Sequence, residues 1–236
     1  MPTGEVLRFG FAHAQARDAV HLPLDADRLA TQFTEAGFAT LRVESAAADR
    51  ASYLLRPDLG RRLSERSATA LDEASARSRR EGCDLLLVVA DGLSSLATSR
   101  HALPLAQAVR DQLPDGWTLG PVVIATQARV ALGDDIGERL SARLVAVLIG
   151  ERPGLSSPDS LGIYLTWAPR RGLTDAARNC ISNVRPEGLP PAQAARKLMW
   201  LAGEATRRRL SGIELKDASD TAAVAQADVP PLLPPR

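Results

Sequence analysis

Two hydrophobic rhythms alternate along this chain. Apolar runs with little or no polar interruption, Asp84–Ala90 (DLLLVVA), Leu119–Thr126 (LGPVVIAT) and Leu144–Ile149, are separated by longer segments whose apolar residues recur every three or four positions. The first rhythm predicts strands buried on both faces, and the second predicts helices with one apolar stripe. Helices are predicted over residues 5–22, from Asp25 to Glu35 before Gly37, from Asp58 to Glu81 before Gly82, over His101–Leu113 before the turn at Pro114, and over Asp134–Ser141. A last one is opened by Pro190 and Pro191, buries Leu198, Leu201, Ala202 and Ala205, and is stopped by Gly212. Ala39–Glu44 and Leu161–Trp167 read as further strands, and QARVAL after Thr126 as a continuation past a bend. Pro57 makes Arg56 extended and begins the helix that follows.

Strands alternating with helices at these lengths predict βαβ units. The expected fold class is therefore α/β: a Rossmann-like, mainly parallel sheet flanked by helices, with an N-terminal helical segment. The expected organisation is a helical segment at 1–50, the main domain at 51–216 and a disordered Ala-, Asp- and Pro-rich tail at 217–236, ending PPLLPPR. Arg143–Arg170 is the stretch on which function should turn. Its first strand stops at Gly150, a charged turn follows through Glu151, Arg152, Pro153 and Gly154, and a second strand begins at Leu161. In open α/β sheets ligands lie outside the carboxyl ends of the strands, so this loop and the Asp91–Gly92 turn are where a cofactor is expected.

Composition narrows the classes. A net charge of +1 on 236 residues leaves no basic stripe, and 4% aromatics leave no stacking platform, so nucleic acid is not an expected partner. The dense basic runs, Arg61–Leu63 and Arg207–Leu210, read as solvated helix faces or ends. Cys83 and Cys180 make no disulfide framework and are expected to be reduced thiols. The start MPTGEVLRFG lacks the core of a signal peptide, and no apolar run approaches the ~18 residues of a membrane span. A soluble, cytoplasmic protein is expected.

The chain has no phosphate loop, no G-x-G-x-x-G after a strand, no zinc spacing and no D-x-H-x-x-G, by which some corrinoid proteins give a histidine to cobalt. Ser94 and Ser95 lack the G-x-S-x-G context of a nucleophile, and His13, His21 and His101 offer no evident general base. Glu151 is either a solvated loop charge paired with Arg152 or a ligand-facing carboxylate. Cys180 is either an inert small hydrophobe or part of a site. The residues alone describe a cofactor- or partner-binding domain better than a self-sufficient enzyme.

The strings YLLRPDLGRRL (from Tyr53), VVADGLS (from Val88), GDDIGERL (from Gly133), LIGERPGLSSPDSLGIYLTWAPR (from Leu148) and RNCISNVRPEGL (from Arg178) resemble the small subunit, or light chain, of ethanolamine ammonia-lyase. The likeness runs from about Phe9 to Lys216 in the same order. It implies a Rossmann-like domain that works with a large catalytic subunit, a barrel carrying the substrate site, in the radical deamination of ethanolamine to acetaldehyde and ammonia. It also implies adenosylcobalamin held between the subunits in its base-on form, in keeping with the missing D-x-H-x-x-G. The family's cofactor contacts map onto Val130, Glu151 and Cys180; no catalytic residue and no metal ligand is expected in this chain. A cytoplasmic heterooligomer is implied, with packaging in a bacterial microcompartment left open.

Two features depart from the family pattern. Ala128 stands where members often have Gly, which adds strain if that backbone needs positive φ. The matching part is also preceded by a shorter segment than is usual, which bears on docking. The alternative function is a stand-alone small-molecule-binding module without a catalytic partner.

Overall fold

A computed structural model describes residues 3–78 and 82–219. The chain runs α1 (Thr3–His21), α2 (Ala26–Glu35), β1 (Thr40–Glu44), α3 (Arg50–Leu55), α4 (Glu65–Ser78), β2 (Cys83–Ala90), α5 (Ser95–Asp111), β3 (Val122–Thr126), α6 (Leu132–Arg139), β4 (Ala142–Gly150), β5 (Leu161–Trp167), β6 (Arg178–Val184) and α7 (Pro191–Arg208). The strands form one sheet in the order β1-β3-β2-β4-β5-β6.

The uninterrupted apolar runs lie in the middle of this sheet because helices cover both faces. Leu85, Leu87, Val89, Ile124, Leu144 and Leu148 point into one core with Phe33, Leu105, Leu198 and Leu201. Their neighbours Leu86, Val88, Val123, Val145 and Val147 point into the other with Leu71, Leu132 and Ile136. Since successive strand residues face opposite sides, a strand covered on both must be apolar at every position.

The α/β class with flanking helices is as expected, but the sheet is mixed rather than mainly parallel. β1, β3, β2 and β4 pair in parallel, whereas β4–β5 and β5–β6 pair antiparallel. The cause is connection length. A parallel neighbour needs a crossover of about a dozen residues or more, usually helical. Only Glu151–Ser160 joins β4 to β5, and that loop folds straight back.

Other boundaries moved for local reasons. The helix expected from Asp58 starts at Glu65, because Leu63 bridges to Ser45 and the Ser64 side chain then accepts the amide of Ser67. Its expected end at Glu81 lies outside the described residues, as do residues 220–236 of the expected tail. Helix α5 starts six residues before His101, capped by Ser94, and tolerates Pro104 on its exposed side. The chain after Thr126 does not continue as strand, for it turns at Gln127, where φ is +56°. Strand β6 was not predicted: as an edge strand with a bulge it buries only Arg178, Ile181 and Val184, so neither rhythm shows. Helix α1 lies where expected, yet of its residues only Ala19 is buried and Val6, Leu7, Phe9 and Phe11 face solvent.

Among the buried polar groups, Arg178 ties the antiparallel edge to the body of the fold. Its guanidinium is 1% exposed and donates to Asp134 on α6, to Asp175 (2.7 Å) and to the Leu173 carbonyl (3.2 Å). Burial pushes the Asp134 carboxyl up, against the pull of the Arg178 charge. Removing one member of such a pair strands the other. We therefore expect Arg178→Ala to lower unfolding free energy by about 3–5 kcal/mol, and the double change Arg178→Met with Asp134→Leu to cost less than half as much. Urea denaturation of the three proteins measures both; equal losses would mean that the pair is not coupled.

Candidate functional site

At the carboxyl end of the parallel strands lies a cleft of about 400 Å3, lined by Tyr53, Gly92, Leu93, Arg129, Val130, Ile149, Gly150, Glu151, Arg152 and Tyr164. A larger hollow of about 690 Å3 opens beside Leu41, Cys83 and Thr118, at the opposite, amino end of β2. Size favours the second, but the expected ligand end of the sheet and the candidates Val130 and Glu151 belong to the first.

The floor of the cleft is made by close backbone approach. Gly150 ends β4, and a Cβ there would overlap the carbonyl oxygens of Ser94 and Asp91. Gly92 adopts φ +55°, and a Cβ on it would overlap the Gly150 carbonyl, which instead accepts from Leu93 N at 2.9 Å. Asp91 supplies the second constraint. Its side chain is 2% exposed; Oδ2 accepts from Gln127 N (2.9 Å) and Arg50 Nη1 (3.1 Å), while Oδ1 accepts from Ala128 N (2.9 Å). Burial pushes its carboxyl up, and those two amides and the Arg50 charge oppose that push.

This arrangement relocates the strain expected at Ala128. The positive φ belongs to Gln127, one residue earlier, whereas Ala128 is fully buried with its amide on Asp91. The turn delivers Arg129 and Val130 to the cleft. Arg129 lies over the Tyr53 ring at 4.5 Å from its centre, Arg50 over the same ring at 4.8 Å, and the Tyr53 hydroxyl donates to the Ala128 carbonyl at 3.1 Å. Burial raises the Tyr53 phenol well above its usual value.

Glu151 is held, but not by Arg152. Its Oε2 accepts from the Ser160 hydroxyl and, at 3.3 Å, from Asn183 N. Its Oε1 has no hydrogen-bond partner among the described residues, and Gly162 leaves the space beside it. Cys180 stands opposite Tyr164 in the β5–β6 register. The residue as a whole is exposed, yet packing around its sulfur raises the thiol, which makes it a poor nucleophile at neutral pH. Val130 and Glu151, distant in sequence, thus line one cleft, and Cys180 lies beside it as the cross-strand partner of Tyr164, which also lines it.

Three contributors carried no sequence signal of their own role. Tyr53 lies in a string noticed only for its likeness, Arg129 adjoins a predicted contact, and Tyr164 is one apolar-run residue among seven. By contrast, Ser94 and Ser95 are committed to structure: both are buried, and their hydroxyls donate to the carbonyls of Pro158 (2.8 Å) and Leu22 (2.6 Å). His101 meets Asp159 at 3.4 Å rather than either serine.

Residues 1–216 match the family model described as ethanolamine ammonia-lyase light chain (EutC). The chain belongs to that family. Curated relatives agree. The ethanolamine ammonia-lyase small subunit of Azotobacter vinelandii is 59% identical over 223 residues, 94% of this chain and 82% of the relative. That of Pseudomonas fluorescens is 56% identical over 235 residues, 99% and 84% of the two chains, and that of Ralstonia nicotianae 58% over 224 residues, 93% and 82%. The light-chain resemblance read from the GERPGL and CISN strings is therefore family membership. Among the described residues no helix is long and apolar enough to cross a membrane.

If the Gly150 contact sets the floor of the cleft, Gly150→Ala should cost about 2 kcal/mol or more of stability, as overpacking against backbone does. Gly154→Ala, where the nearest atom to a new Cβ is the movable Ser157 hydroxyl at 3.2 Å, should stay within about 0.5 kcal/mol. Thermal melts of the two variants distinguish them, and similar melting points would remove the close approach from the account.

Proposed function

We propose that this chain, a component of an ethanolamine ammonia-lyase, forms one wall of an adenosylcobalamin site whose other wall belongs to the large catalytic subunit. The observation that carries the reading is that Val130 and Glu151 line one cleft at the carboxyl end of the sheet, with Cys180 on the adjoining strand opposite the cleft residue Tyr164. A corrin presents apolar faces edged by amide side chains, so a fitting wall needs flat apolar surface and a few polar atoms with capacity left over. Leu93, Val130 and Ile149 supply the first, and Glu151 Oε1 the second.

The roles follow from those atoms. Val130 packs against the ring or offers its backbone. Glu151, its Oε2 already fixed by Ser160 and Asn183, can accept from an amide or hydroxyl through Oε1. Cys180 lends its sulfur to packing beside Tyr164. Bound there base-on, adenosylcobalamin would supply the radical that begins the deamination of ethanolamine to acetaldehyde and ammonia. This chain's part is to bind, orient and keep water from one side; substrate is bound mainly by the large subunit. The same reading covers a cytoplasmic heterooligomer, whose packaging in a microcompartment the sequence leaves open.

Mixing purified chain, large subunit and adenosylcobalamin, and measuring ammonia release, tests the proposal. Turnover is expected only with all three; deamination by this chain alone would contradict it. In the assembled enzyme Glu151→Ala should raise the cobalamin concentration for half-maximal activity by about tenfold, the value of one hydrogen bond to a charged group. An unchanged concentration would return Glu151 to a structural loop charge.

A further inference from the structure

The cleft holds a cation that nothing among the described residues neutralises. Arg129 makes no side-chain hydrogen bond or ion pair among the described residues, and its Nε is buried without a partner. Its neighbour across the Tyr53 ring behaves otherwise: the Arg50 guanidinium donates to Asp91, to the Gly92 carbonyl at 2.8 Å and to the Val20 carbonyl at 2.8 Å. Arg129 is nonetheless built in. Its amide donates to the Gly60 carbonyl at 2.8 Å, its stem packs where a Cβ on Gly60 would come within 3.0 Å, and its guanidinium stacks on Tyr53. Arg152, exposed and likewise unpaired among the described residues, lines the same cleft. The lining thus sets two guanidiniums against the one carboxylate of Glu151, whose Oε2 is already committed.

A partly buried cation costs free energy unless an anion meets it, and a guanidinium fixed by stacking presents its fork of donors in one orientation. That fork matches a phosphate or carboxylate bidentately. We propose that Arg129, with Arg152 at the rim, is the clasp for the ligand's anion, and that the anion is the phosphodiester of the nucleotide arm of cobalamin. The assignment rests on the cobalamin reading above and deepens it. Cobalamin has one phosphodiester and otherwise neutral amide arms, so its negative group has one place to go in a cleft with this charge. In this role Arg129 is a positioning residue: it fixes the arm, and hence the corrin, without touching the reacting atoms.

The test compares two corrinoids on the assembled complex by absorbance titration: cobalamin, and cobinamide, which lacks the nucleotide arm and its phosphate. Wild type should bind cobalamin more tightly. Arg129→Gln should weaken cobalamin by about ten- to a hundredfold, the range for a charge-assisted hydrogen bond, and change cobinamide less than threefold. Arg129→Lys, which keeps the charge but loses the fork, should fall between. Equal weakening of both corrinoids by Arg129→Gln, or no weakening of either, would overturn the clasp. So would weaker assembly with the large subunit at unchanged cobalamin affinity, which would give Arg129 to a partner carboxylate. If neither Glu151→Ala nor Arg129→Gln alters the binding of either corrinoid, the cobalamin reading itself falls and the clasp with it. Equal loss of both corrinoids in Arg129→Gln, with Glu151→Ala still weakening them, overturns the clasp alone.

Discussion

The Asp91 carboxylate is the point at which the separate parts of the cleft become one structure. It ends β2, almost wholly shielded from water, and takes the amides of Gln127 and Ala128 beyond β3 together with the Arg50 guanidinium. Without those amides the left-handed turn at Gln127 would have little to hold it, since a non-glycine residue there carries a cost of order 1 kcal/mol. Arg50 reaches on to the Val20 carbonyl, so the same charge pair joins the end of α1 to the sheet. Burial resists the ionised carboxylate, and the arrangement holds because two backbone donors and a cation answer it.

A second constraint acts from the other side of β4. Because Glu151–Ser160 turns back, β5 runs antiparallel, and the loop's two ends stay together: Glu151 N donates to the Ser160 carbonyl at 2.9 Å while the Glu151 carboxylate takes the Ser160 hydroxyl. The antiparallel edge then carries Tyr164 and Cys180 alongside the loop. A fully parallel sheet would have sent the chain to its far end after β4 and put no such pair beside Glu151. The mixed sheet is thus what gives the cleft both its Arg129 side and its Glu151 side.

Much of this was legible in the sequence, for identifiable reasons. DLLLVVA and LVAVLI announced central strands because burial on both faces leaves no room for a polar residue, and the GERPG turn at the end of β4 lies where the cleft opens. The direction of β5 was also implicit: ten residues do not make a helical crossover, yet the strand–helix rhythm before it suggested one pattern throughout. Strand β6 was illegible because an edge strand with a bulge keeps no period. The Tyr53–Arg129 stack and the Asp91 knot join residues 36 to 76 positions apart, and no local pattern encodes such contacts. Likeness to the light-chain family supplied Val130, Glu151 and Cys180; the backbone explains why the first two line one cleft and the third lies on the strand beside it.

The central claim is that this cleft faces cobalamin and that the large subunit closes it. The most direct measurement is a cryo-electron microscopy map of the chain assembled with the large subunit and cobalamin. The account predicts corrin density against Val130, Glu151 and the Tyr164–Cys180 edge, with the large subunit on the opposite face of the ring. Corrin density enclosed by the large subunit alone, with this cleft open to solvent, would contradict it.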